Sequence, residues 1–174
     1  MKRLKLRSML KNQRGFTLIE VIVALAITSL ISTGAAMATM QIVDQGARNT
    51  NYTTASRHTM NAIHWISRDA QMAQTVETNG STGFPLVLGW TEWDNTSHEV
   101  TYTTSGDEMM RSYSIDGGTP SETLIAQYLN LTSANTTCAT DNGTLSLTIT
   151  ATVGTGPGST SVTKVREITP RPNL

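Results

Sequence analysis

Residues 16–43 form one apolar run, broken by a single carboxylate, Glu20, and by no base. About 20 such residues cross a bilayer as a helix, so this run is long enough to span. Beyond it the apolar positions thin out and become periodic. Tyr52, Ala55, Thr59, Ile63, Ile66, Ala70 and Ala73 recur at spacings of three and four, which sets them on one face of an amphipathic helix that must pack on a sheet. Asn79-Gly80-Ser81-Thr82-Gly83-Phe84-Pro85 is rich in helix breakers and stops the pattern. The expectation is a helix from Phe16 to about Val76, with residues 16–43 as its membrane-spanning or filament-core half and 44–78 as its amphipathic half.

From residue 79 onward the period shortens to that of strands. Residues 86–93, 98–104, 109–115, 124–132, 144–153 and 161–168 are β-prone runs. Turn residues such as Asp94-Asn95, Ser105-Gly106-Asp107, Asp116-Gly117-Gly118 and Asp141-Asn142-Gly143 separate them. Val100-Thr101-Tyr102-Thr103 turning back into Met110-Arg111-Ser112-Tyr113 is the clearest hairpin. The fold class read from this pattern is α+β, a long N-terminal helix packed on a mainly antiparallel head over residues 79–174. Low charge (15%) and few aromatics (5%), with Thr, Ser, Asn and Gly crowding the second half, agree with a small β-rich domain rather than a helical enzyme.

Net charge is zero, but its distribution is lopsided. Six of the thirteen bases, Lys2, Arg3, Lys5, Arg7, Lys11 and Arg14, precede Gly15. Without that segment seven bases face thirteen acids, a formal −6, and an acidic exterior disfavours non-specific binding to nucleic acid. The same six bases ahead of the apolar run, with none just after it, point the N-terminus to the cytoplasm and the residues beyond about Asp44 to the other side.

Glu20 is the feature that a plain anchor does not need. Insertion of a carboxylate costs about 2.5–3.5 kcal/mol at the centre of a membrane helix, somewhat less near its end, so Glu20 calls for a compensating partner. The stretch Lys11-Asn12-Gln13-Arg14-Gly15-Phe16-Thr17-Leu18-Ile19-Glu20 joins a basic leader, a glycine, an aromatic residue opening the apolar run, and an acid one turn inside it. It resembles the cleavage and methylation motif of type IV pilins and type II secretion pseudopilins.

The resemblance implies removal of residues 1–15 by a prepilin peptidase cutting between Gly15 and Phe16, then N-methylation of Phe16. It also implies pairing of Glu20 with the Phe16 amine of a neighbouring subunit. The implied partners are that peptidase, other pilin or pseudopilin subunits, an inner-membrane assembly platform and the membrane itself, with no specific nucleic acid. The head resembles, more loosely, those of minor pilins and J-type minor pseudopilins. Many major pilins carry a proline midway along the run; this chain has none before Pro85, which leaves Ser32-Thr33-Gly34 as the local weak point on assembly.

Two other readings stay open on the residues alone. One is a membrane-anchored surface domain that binds or adheres. The other is a secreted protein with an ordinary signal peptide cut near Thr39, where Ala35-Ala36-Met37-Ala38 imitates a small-residue site. Catalytic, cofactor and metal motifs are not found: His58 and His64 are six apart, and the Asp-rich turns miss the calcium-loop spacing. Cys138 has no second cysteine to pair with and reads as an inert small residue. Arg68-Asp69 resembles a charged pair of some minor pseudopilins, and a solvated helix face explains it as well.

Overall fold

The computed structural model describes residues 15–132 and 135–171. Residues 1–14 of the basic leader lie outside them. The chain divides into two compact units, one ending at Asp44 and one beginning at Gln45.

Helix α1 is Leu18–Met72. In the first unit it runs unbroken through Ser32-Thr33-Gly34. Threonine hydroxyls bond within the helix: Thr28 Oγ1 donates to the Ala24 carbonyl at 2.7 Å, Thr33 to Ser29 at 2.9 Å and Thr39 to Ala35 at 2.9 Å. Such back-bonding lets polar side chains sit in an apolar helix without an unmet donor.

In the second unit α1 buries Ala55, Thr59, Ala62, Ile66, Asp69 and Ala70. Of the face read from the periodicity, Tyr52 is exposed and Ile63 half-buried, while Ala62 and Asp69 take inward places. The helix ends four residues before the expected Val76. Ala73 donates back to the Asp69 carbonyl, but Gln74 already donates across to Gly89 at 2.8 Å. β-Branched Thr75, Val76 and Thr78 favour extended backbone, and Thr75–Thr78 forms strand β1 instead of the last turn of the 44–78 helix.

The strands that follow are β2 Leu86–Thr91, β3 Ser97–Ser105, β4 Glu108–Ile115, β5 Ser121–Ala126, β6 Thr137–Asp141, β7 Thr144–Val153 and β8 Thr160–Ile168. They make two antiparallel sheets, β1-β2-β3-β4-β5 and β6-β7-β8. The expected hairpin is β3–β4, with Thr103 opposite Met110 and Val100 opposite Tyr113. The run expected over 124–132 starts earlier and breaks at Tyr128, whose φ is +62°. Past that break Leu129 bridges to Ala151 in the second sheet.

Inward-facing Leu86, Leu88, Val100, Tyr102, Met109, Leu145, Leu147 and Ile149 are fully buried and meet the alanine-rich face of α1. Small residues on the helix and large ones on the sheets let the layers pack closely. A tight contact ties the sheets together. Cys138 donates its N–H to the Thr82 carbonyl at 2.8 Å, and a Cβ on neighbouring Gly83 would stand 1.7 Å from the Cys138 carbonyl oxygen.

Candidate functional site: the N-terminal processing and assembly segment

Gly15, Phe16 and Thr17 precede the helix in non-helical backbone. Thr17 caps α1. Its N–H and Oγ1 both donate to Glu20 Oε2 at 2.9 Å, and the Glu20 N–H donates back to Thr17 Oγ1 at 3.3 Å. This reciprocal pattern is a capping box, in which the first orphan donors of a helix are met by its own side chains. The carboxylate also lies where the helix dipole favours negative charge. Glu20 is thus held by two hydrogen bonds but faces no cation among the described residues. The sequence carried a signal for this clasp, the Thr-x-x-Glu spacing ahead of an apolar run.

Phe16 is 86% exposed. A Cβ added at Gly15 would meet nothing within 4 Å, so nothing in the described fold requires a glycine there. Downstream, α1 is long and apolar enough to cross a membrane, and none of its most apolar stretch is buried. The core helix of a water-borne domain would be covered. A bare apolar surface of this size marks a membrane or partner surface.

Among the described residues the head holds a buried ionic cluster, and it corrects the reading of Arg68-Asp69 as part of a solvated helix face. Asp69 is 1% exposed and its partner is Arg111, at 2.7 Å from Nε to Oδ2. Tyr102 donates to the same oxygen at 2.5 Å. Arg111 lies over the rings of Trp65 at 5.1 Å and Tyr113 at 5.0 Å, while Arg68 is exposed. An acid beside a base in sequence signals a surface pair; only the fold brings Arg111 in from 42 residues away.

The histidines do not converge. His58 Nδ1 accepts from the Gln127 N–H at 3.1 Å, His64 is exposed, and His98 Nδ1 meets the Tyr113 hydroxyl at 2.6 Å within a stack that includes Trp90. Cys138 is buried, which pushes its thiol up to about 12, away from reactivity at neutral pH.

Among known proteins, the family described as prokaryotic N-terminal methylation motif matches residues 10–36. That match spans Gly15, Phe16, Thr17 and Glu20 and the first turns of the bare helix. The matched motif together with the long apolar N-terminal helix supports a type IV pilin-like protein. No curated protein and no solved structure matches it. The motif implies processing by a prepilin peptidase and assembly with other pilins, and the apolar helix near the N-terminus points to membrane anchoring. The long helix followed by antiparallel sheets is the pilin-like α+β architecture.

Proposed function

We propose that this pilin-like chain is a minor subunit of a type IV pilus or a type II secretion pseudopilus. The peptidase cuts between Gly15 and Phe16 at the cytoplasmic face, Phe16 is N-methylated, and the retained helix carries the subunit first in the inner membrane and then in the filament. The head lies on the far side of that membrane. Glu20 then pairs with the methylated Phe16 amine of an adjoining subunit.

The observation that carries this reading is the Thr17–Glu20 clasp at the start of a bare apolar helix. The clasp supplies hydrogen bonds and no positive charge. Hydrogen bonds offset part of the cost of a carboxylate in an apolar bundle, whereas an opposite charge offsets far more in a low dielectric. Cutting before Phe16 creates such a charge four residues from Glu20, and methylation keeps it. The open space around Gly15 supports the same reading, because a glycine the fold does not need suits an enzyme that must grip extended backbone.

Mass spectrometry of the mature protein tests it: the expected N-terminus is N-methylated Phe16. An uncut Met1 would make the chain a plain anchor, and a start near Thr39 would make it a signal-peptide product.

A further inference from the structure

Charge in the head is sorted by side. On α1, Arg57, His64 and Arg68 follow one another at helical spacing and are exposed. Beside them runs β8, an edge strand of the second sheet, with Lys164 and Arg166 exposed. Between helix and strand lies a groove of about 370 Å³ that includes His64, Lys164 and Arg166, floored by Met60 and Ile63. Met60 is 59% exposed. Glu167 is exposed on the same strand but does not line the groove.

The first sheet is the reverse. Its face turned away from α1 carries Glu77 on β1, Glu99 on β3 and Glu122 on β5, all exposed. Glu77 and Glu122 end one cross-strand row through Val87, Thr101 and Ser112. The first sheet's arginine, Arg111, points inward to Asp69. So one side of the head is a basic groove with an apolar floor, and the sheet face turned from the helix is acidic and carries no base.

We propose that the basic groove between α1 and β8 docks the acidic outer face of the first sheet of a second copy of this chain, a proposal that rests on the filament reading above. The two patches lie on different sides of one head, so the contact is heterologous. Such a contact does not close as a pair, so each copy keeps one of the two patches free for another subunit of the filament. Complementary potentials fix partner and register while the apolar floor supplies contact area.

Lys164 is the single lysine after Lys11, which makes the test specific. The full-length mature chain, assembled in membranes of cells that process it, is treated with a zero-length carbodiimide, which joins an amine to a carboxylate it touches. Digestion and mass spectrometry then locate the bond. The expected product joins Lys164 of one copy to Glu77, Glu99 or Glu122 of another and falls as salt rises. Lys164→Gln removes that product. Arg166→Glu reduces it about tenfold or more, and adding Glu99→Lys with Glu122→Lys in the partner copy restores association.

Assembled filaments in which Lys164 joins no carboxylate of the first sheet would overturn this contact and leave the filament reading standing. A chain that never assembles would remove the filament reading and this contact with it. Retention of a single-stranded oligodeoxynucleotide by the groove, lost in Arg166→Glu while self-association is unchanged, would assign the groove to a polyanion and overturn the proposal.

Discussion

Asp69 on α1 and Arg111 on β4 share a buried ion pair, 2.7 Å from Nε to Oδ2, with side chains 1% and 12% exposed. The Tyr102 hydroxyl completes the cluster from β3. Three elements of the head thus meet on one carboxylate oxygen. Removing one partner of such a pair leaves the other charge without compensation, at a cost of about 3–5 kcal/mol, whereas replacing both by apolar groups of similar volume is often close to neutral. Asp69→Ala is therefore expected to destabilise the head by about that amount, and Asp69→Leu combined with Arg111→Met to recover most of it. Chemical denaturation followed by tryptophan fluorescence is suited to the measurement, because Trp65 lies under the Arg111 guanidinium. A loss below about 1 kcal/mol in the single variant would class the pair with exposed ones.

The alkaline limit of stability follows from two other buried groups. Burial, and then the hydrogen bond to Asp69, raise the Tyr102 phenol above its ordinary value of 10.0, and burial raises the Cys138 thiol from 9.0 to about 12. Both groups are neutral when protonated, so the folded head holds protons that the unfolded chain releases. Where the unfolded state binds fewer protons, stability falls as pH rises. The contribution is intact below pH 9.0 and is lost first through Cys138, between 9.0 and about 12, then through Tyr102 from 10.0 upward. Melting temperatures of the detergent-solubilised chain should be flat for these groups up to pH 9 and decline above it. In Cys138→Ala the decline should begin about one pH unit later. An unchanged onset in that variant would remove the thiol from this account.

How much of this was legible in the sequence differs by element. The long apolar run and the β3–β4 hairpin are visible because the first is unbroken over many residues and the second alternates cleanly. β6 is not, although Asn142-Gly143 is a strong hairpin signal and both residues take positive φ, +47° and +78°. Thr137-Cys138-Ala139-Thr140 before that turn has too few large apolar residues to read as a strand, and its pairing with β7 decides the matter. The end of α1 is hidden for a similar reason: Ala73 continues the helical face, and only the pairing of β1 with β2 turns the following residues into a strand. At the candidate site, the Thr-x-x-Glu spacing was readable. Weighing Glu20 only as a costly membrane charge passes over the bonds it makes to Thr17.

At Gly15 the needs of the fold can be told apart from those of the proposed processing. With open space around its Cα, Gly15→Leu is expected to leave the helix and head intact, as judged by circular dichroism and by the resistance of the head to protease. The same variant should accumulate as uncut precursor. A mature N-terminus at Phe16 in Gly15→Leu would show that the enzyme does not read this position, and would move the cut site elsewhere in the matched segment.

Thr17 and Glu20 allow the capping role of the carboxylate to be told apart from its charge. Gln at position 20 still accepts from Thr17, since a capping box takes either Glu or Gln at that place, but it offers nothing to a cationic amine beyond a neutral hydrogen bond. Thr17→Ala does the opposite. It removes the hydroxyl partner, at a cost of about 1 kcal/mol for a lost cap, and keeps the negative charge. If charge pairing between subunits drives assembly, Glu20→Gln should be cleaved normally and yet form few or no filaments, while Thr17→Ala should assemble close to normal levels. Filament yield by shearing and immunoblot, alongside the fraction of cleaved subunit, reads both. The reverse pattern, with filaments from Glu20→Gln and none from Thr17→Ala, would make Glu20 a helix cap and nothing more, and the Phe16 amine would then have no assigned partner in the filament.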